Sequence, residues 1–208
     1  MAMEKEGRLE LILGGMFTGK TTELMRRLLV EAIVEKGKVL YVNHTCDTRT
    51  DGDFSSHNVL FHDTLPESSG IKTLKTPNLG WILTSDIIRD VECIGIDEGQ
   101  FFPEIAKVVE ELVDVHHKHV IVASLSANYK RQQSYGTYNA TVLDLIPIAD
   151  TVNLLKGKCH NCASEGRNRS SLFTYKSHDK VSDTLDIGAS EKYMSLCRKC
   201  YVKQSAEN

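Results

Sequence analysis

The sequence predicts an α/β fold: a parallel sheet flanked by helices, with a small cysteine-bearing unit appended at the C-terminal end. Three observations lead there. Gly14-Gly15-Met16-Phe17-Thr18-Gly19-Lys20-Thr21 fits the phosphate-loop template G-x-x-x-x-G-K-[ST] at every fixed position, and it lies between an apolar run and a helical pattern. Short apolar runs then alternate with helix-period segments, the pattern of strand-helix-strand units with parallel pairing. Two Cys-x-x-Cys pairs close the chain, Cys159-His160-Asn161-Cys162 and Cys197-Arg198-Lys199-Cys200.

A length of 208 residues with 41% hydrophobic content suits one full-sized core and a small appendage, divided as residues 1–150 and 151–208. No apolar stretch approaches the roughly 18 to 20 residues that span a bilayer. The N-terminal Met1-Ala2-Met3-Glu4-Lys5-Glu6 has no apolar segment of a signal peptide. A cytoplasmic chain with no membrane partner is therefore expected. Residues 1–150 hold 15 basic and 22 acidic side chains, net −7, and residues 151–208 hold 10 and 6, net +4. An acidic body argues against broad nucleic-acid binding, which depends on neutralising phosphates.

Taken in order, Leu9-Glu10-Leu11-Ile12-Leu13 is a strand leading into the phosphate loop. There, glycines let successive N–H groups turn inward while the following helix points its positive end at the same place. A polyphosphate is the natural guest, with Lys20 against the β and γ phosphates and the Thr21 hydroxyl on Mg²⁺. Leu24, Met25, Leu28, Leu29, Ala32 and Ile33 recur at helical spacing up to Gly37, and Lys38–Asn43 is the second strand. Residues 44–58 lack periodicity and form a long loop, either a solvated connector or a lid carrying Arg49 toward the phosphates. Val59-Leu60-Phe61 and Ile71–Leu74 are candidate strands, and Trp81 to Ile88 a candidate helix.

Cys93-Ile94-Gly95-Ile96-Asp97-Glu98 is an apolar run ending in carboxylates, the way a core strand delivers an Asp to Mg²⁺ in phosphate-loop enzymes. Asp97 takes that role through water, and Glu98 beside it is placed to act as a base toward an alcohol acceptor. The plainer alternative is that both cap a helix beginning at Pro103 and running to Val115. His116-His117-Lys118-His119 reads as a turn before the strand His119–Leu125. The segment 126–136, with Tyr129, Lys130, Arg131 and Tyr135, lies just past a strand end, where α/β ligands bind. A helix from Tyr138 to Ile146 and a last strand from Ala149 to Leu155 complete the main body.

Metal ligation is the better reading of the cysteine pairs in a reducing compartment. Cys159, Cys162, Cys197 and Cys200 supply four thiolates for a closed, structural Zn²⁺ site, with His160 a spacer. Pinning both pairs to one ion makes residues 163–196 a loop with fixed ends, which could clamp a ligand or be a mere insertion.

Gly15–Arg27, Asp47-Thr48-Arg49, Ile96-Asp97-Glu98-Gly99-Gln100-Phe101-Phe102 and the two cysteine pairs, in this order, closely resemble the zinc-containing type II thymidine kinases over most of residues 9–201. The resemblance implies a RecA-like phosphate-loop sheet with a zinc-binding domain carrying a lasso loop. It implies transfer of the ATP γ-phosphate to the 5′-hydroxyl of thymidine or deoxyuridine, with Glu98 as general base and Arg49 and Lys20 at the phosphates. ATP and Mg²⁺ would be held by Gly14, Gly15, Met16, Phe17, Thr18, Gly19, Lys20, Thr21 and Thr22, with Asp97 and Gln100. Met16, Phe101, Leu125, Tyr129 and Tyr135 match positions lining the base and sugar pocket. The lasso would bring the Ile187-Gly188-Ala189 backbone to the pyrimidine edge and Tyr193 over the ligand. A homo-tetramer is the family expectation. Departures fall at Leu125-Ser126-Ala127-Asn128-Tyr129, where the family has an L-D-G-T-F-like run, and at Ile187-Gly188-Ala189, where it tends to Ile-Gly-Gly. Two other classes compete: a nucleic-acid-dependent ATPase whose zinc ribbon binds the strand, and a noncatalytic nucleotide-sensing switch. The first would want a basic body, and the second leaves Glu98 unused.

Overall fold

The computed structural model describes residues 6–47, 69–133, 141–177 and 193–206. Its centre is a sheet of six parallel strands: β1 (Arg8–Gly14), β2 (Val39–His44), β3 (Ile71–Thr76), β4 (Cys93–Ile96), β5 (His119–Leu125) and β6 (Thr151–Leu155). They run in the order β3-β2-β4-β5-β1-β6. The interior strands are apolar nearly throughout because both faces are covered. Leu9, Leu11, Ile12, Ile94, Ile96, Val120, Ile121 and Val122 are all fully buried.

Alternation along each strand divides the core in two. Ile12, Tyr41, Ile121 and Ala123 face α1 (Lys20–Val34), packing on Leu24, Met25 and Leu28. Leu11, Leu13, Val42, Ile94 and Val122 face the opposite layer, where α4 (Ile105–Asp114) contributes Ile105, Val108, Val109 and Leu112. Gly95 sets how closely α1 lies on β4, since a Cβ there would fall 2.4 Å from a Leu28 methyl. A larger residue there would force the Leu28 side chain, or α1 with it, to move.

Two expected helices take other forms. Trp81 to Ile88 is not one helix but two short ones, α2 (Trp81–Thr84) and α3 (Ile87–Asp90). Ser85 between them is extended (φ −92°, ψ 146°), and its hydroxyl accepts the Ile87 N–H at 3.1 Å, so the side chain replaces a helical bond. The helix expected from Tyr138 to Ile146 is a 3₁₀ segment over Val142–Ile148, with residues 138–140 outside the described residues. Thr141 caps it by accepting from the Leu143 N–H, and Asp144 answers by accepting the Thr141 N–H. Pro147, which has no N–H to donate, lies inside it rather than ending it. The candidate strand Val59-Leu60-Phe61 lies outside the described residues.

The sheet runs past position 150 to Leu155. Beyond it come two small antiparallel pairs, β7 (Gly157–Lys158) with β8 (Ser170–Ser171) and β9 (Phe173–Lys176) with β10 (Tyr193–Leu196). Two helices, α5 (His160–Ser164) and α6 (Arg198–Ala206), accompany them. Tyr175, Leu196 and Tyr201 pack with the cysteines into a separate small core. Among the described residues, no helix is long and apolar enough to cross a membrane.

Candidate active site

The phosphate loop leaves the C-terminal end of β1 and turns directly into α1. A Cβ on Gly14 would sit 2.6 Å from the Thr18 hydroxyl, so only glycine lets the loop close this tightly. The Thr18 hydroxyl donates to the Gly15 carbonyl at 3.0 Å, and the Lys20 ammonium donates to the same oxygen at 2.8 Å. Lys20 is thus held over the loop's own concavity, where a phosphate oxygen would compete for it. The loop is roofed from the far end of the chain: the Met16 N–H donates to Thr174 Oγ1 at 2.9 Å, and Thr174 on β9 is buried.

Two strands away, β4 ends in the carboxylate pair. Asp97 is 1% exposed, with Oδ1 accepting the Glu98 N–H at 2.9 Å and Oδ2 accepting the Tyr41 hydroxyl at 3.1 Å. Burial first, and then the Asp97 charge, push the Tyr41 phenol well above its ordinary pKa, so it stays a donor to Asp97. Glu98 adopts left-handed backbone (φ 51°, ψ 41°), an uncommon conformation for a residue with a side chain and one concentrated at functional sites. Neither residue caps α4: the helix begins at Ile105 with Glu104 at its cap, and Glu104 accepts the Leu79 N–H at 2.8 Å. That disposes of the capping alternative.

Gln100 ties the carboxylate to the phosphate loop. Its amide nitrogen donates to Glu98 Oε2 at 2.5 Å, while its amide oxygen accepts from Ser124 Oγ at 2.9 Å and the Leu125 N–H at 3.0 Å. Leu125 is the register partner of Gly14, and the Ser126 N–H donates to the Gly14 carbonyl at 3.2 Å. The ends of β1, β4 and β5 are therefore coupled by side-chain as well as ladder bonds.

At the end of β2, His44 lies edge-on to Phe102 at 4.8 Å and tilted to Phe101 at 5.7 Å. Burial holds its imidazole below the ordinary value, against the raising effects of the Pro77 backbone and Glu104. Its Nδ1 accepts the Cys46 N–H at 3.0 Å, and Asn43 donates to Asp47 at 3.0 Å, which fixes the entry to residues 48–68. Tyr129 and Tyr193, expected to line the nucleoside pocket, both come to the Lys176 ammonium, which lies 5.4 Å and 5.9 Å from their ring centres. The Tyr129 carbonyl accepts the Tyr201 hydroxyl at 2.7 Å, joining its loop to α6. Arg49, Tyr135, Ile187 and Gly188 lie outside the described residues.

The motifs do not reveal Tyr41, Asn43, His44, Ser124, Thr174 or Lys176. Their only signal is polarity inside apolar strands: Tyr41, Asn43, His44 and Ser124 occupy buried β2 and β5 positions where an aliphatic residue would be usual.

The four cysteines meet in the C-terminal unit. Their sulfurs all lie within 4.8 Å of one another, with Cys162 to Cys200 at 3.7 Å and Cys162 to Cys197 at 3.9 Å. Those separations are far beyond the roughly 2 Å of a disulfide. They match the roughly 3.8 Å edge of a tetrahedron of thiolates about Zn²⁺. Burial and the neighbouring thiols push Cys200 up to about 12, while, against burial, hydrogen bonds with Cys200, Cys159 and Cys162 bring Cys197 down to about 7.

A sequence model of the thymidine kinase family matches residues 7–201. The cytosolic thymidine kinase of Bos taurus is 35% identical over 203 residues, covering 96% of this chain and 74% of that protein. The cytosolic enzyme of Homo sapiens is 34% identical over 203 residues, covering 96% and 75%. The thymidine kinase of Rabbit fibroma virus (strain Kasza) is 36% identical over 195 residues, covering 94% of this chain and 96% of the viral protein. Matches that run from the phosphate loop through the last cysteine pair mean that the chain belongs to the thymidine kinase family.

Proposed function

We propose that this chain is an ATP-dependent thymidine kinase of nucleotide salvage, moving the γ-phosphoryl group of ATP to the 5′-hydroxyl of thymidine or deoxyuridine. The observation that carries this reading is the tether from Glu98 through Gln100 to Leu125, the residue paired with Gly14. Glu98 accepts the proton of the 5′-hydroxyl as the nucleophile attacks. Little covalent help is needed beyond that, since phosphoryl transfer depends mainly on positioning and charge.

The N–H groups of residues 14–22 and Lys20 bind the triphosphate, and Thr21 with Asp97 would hold Mg²⁺, which when bound would supply positive charge to offset that of the phosphates. Arg49 approaches the phosphates. Met16, Phe101, Leu125, Tyr129 and Tyr135 line the base and sugar pocket, with Ile187, Gly188 and Tyr193 closing over it. The four cysteines would hold structural Zn²⁺, and the unit that follows β6 acts as a cover on the ATP-binding body.

A cytoplasmic homo-tetramer without nucleic acid is the matching assembly. Its support is the apolar surface of β6, where Val152 is 43% and Leu154 55% exposed, and of α1, where Ile33 is 82% exposed.

The deciding experiment is γ-phosphate transfer from ATP to a panel of nucleosides, with single-stranded DNA as a further arm. Thymidine and deoxyuridine are expected to be phosphorylated. Inert nucleosides together with DNA-stimulated ATP hydrolysis would establish a nucleic-acid-dependent ATPase instead.

A further inference from the structure

The sheet has a second chemically loaded end. At the N-terminal ends of the strands, opposite the phosphate loop, Cys93 opens β4 and His119 opens β5, and the two are register partners. Both side chains therefore leave the same face of the sheet, the face under α1. Cys93 packs in the core layer that α1 covers. The close seat of α1 on Gly95 brings the last turns of the helix down onto this edge, and with them Glu31.

We propose that Cys93, His119 and Glu31 form a second metal site, separate from the four-cysteine unit, for a borderline divalent cation of the zinc class. Their donor atoms all lie within 4.8 Å of one another, and His119 Nδ1 is 3.5 Å from Glu31 Oε2. Ligands of one tetrahedral ion stand roughly 3.3 to 3.8 Å apart. A movement of about an ångström closes the set.

The orientation of the imidazole is what separates this cluster from a chance gathering. His119 Nε2 lies 3.1 Å from Glu10 Oε1, so a proton on Nε2 leaves the Nδ1 lone pair aimed at Glu31 and Cys93. A carboxylate behind a ligating histidine fixes the tautomer and raises its basicity. Glu10 is itself held by Arg8 at 2.7 Å and Arg27 at 2.5 Å, so it is a support rather than a ligand. One thiolate and one carboxylate neutralise a divalent charge. Cys93 is fully buried, whereas the Glu31 side chain is 22% exposed, leaving the fourth position for water from the helix side.

An imidazolium held between Glu10 and Glu31 would fill the same space without metal. Cobalt separates the two, because only a bound ion draws the Cys93 sulfur into a thiolate-to-cobalt charge-transfer band. The full chain, with its four-cysteine site first filled with zinc, is titrated with Co²⁺. One further equivalent with that band is expected, absent in Cys93→Ser. Glu31→Gln should weaken binding at least about 10-fold, and Glu10→Gln, acting behind His119, about 10- to 100-fold. No band at saturating cobalt would overturn the proposal, as would a band that survives Cys93→Ser. Should Cys93→Ser fail to fold, Glu31→Gln at the helix surface decides alone: cobalt affinity equal to wild type overturns the site.

Discussion

Gln100 donates its amide N–H to Glu98 at 2.5 Å while its own oxygen accepts from the end of β5, so one neutral side chain sets where the carboxylate points. A glutamate held this way faces one direction and need not be oriented at each turnover.

Replacing Glu98 with Gln keeps the shape and removes the proposed base. Turnover is expected to fall about 10²- to 10⁴-fold with nucleotide affinity retained. Gln100→Leu leaves the proposed base in place and removes only its bond to Gln100, so kcat should fall less, about 10-fold, with KM for ATP little changed. Steady-state kinetics of both variants check this. A Glu98→Gln enzyme as fast as wild type would remove Glu98 from the chemistry.

Tyr41 donates to a buried carboxylate, and Tyr41→Phe deletes only that hydroxyl. Loss of a hydrogen bond to a charged buried group costs about 1.5 to 3 kcal/mol. The urea midpoint should drop with the slope unchanged. An unshifted midpoint would mean that Asp97 finds equal compensation from water.

Zinc and ATP binding should be linked through Thr174. Cys197→Ser is expected to lower the zinc content by about one Zn²⁺ per chain, the ion of the four-cysteine site. With β9 and β10 released, the Met16 N–H loses its acceptor, so KM for ATP should rise as it does in the milder Thr174→Val. Thr174→Val with unaltered KM would show that the roof does not shape the loop.

His44 should make stability depend on pH. Its folded-state pKa lies below the ordinary 6.5, so its contribution is whole above that value and is lost as pH falls through the folded-state value. Protonation also ends acceptance of the Cys46 N–H by Nδ1. Urea titrations at pH 7.5 and 5.5 should differ less in His44→Asn, whose amide oxygen can still accept. Parallel losses in both proteins would assign the pH dependence elsewhere.

Most of the fold can be read from the chain because the interior strands are short apolar runs and α1 keeps its helical period over four turns. The phosphate loop and the cysteine pairs are equally legible, since each is a local spacing dictated by one ligand geometry. What escapes is what depends on distant partners. Ser85 and Thr141 break their helices with side-chain bonds that compete with the backbone, which periodicity does not register. Thr174 and Lys176 gain their roles only from what β9 is laid against. Tyr41 reads as an ordinary strand aromatic until Asp97 is beneath its hydroxyl.

The bond between Met16 and Thr174 joins positions 158 residues apart. During synthesis the nucleotide loop leaves the ribosome early but waits for nearly the whole chain before its cover arrives. Contacts of such long sequence separation form late and slowly. A nascent chain released before Tyr193 would hold an uncovered loop and only Cys159 and Cys162 of the four clustered cysteines, a species inclined toward chaperones rather than toward ATP.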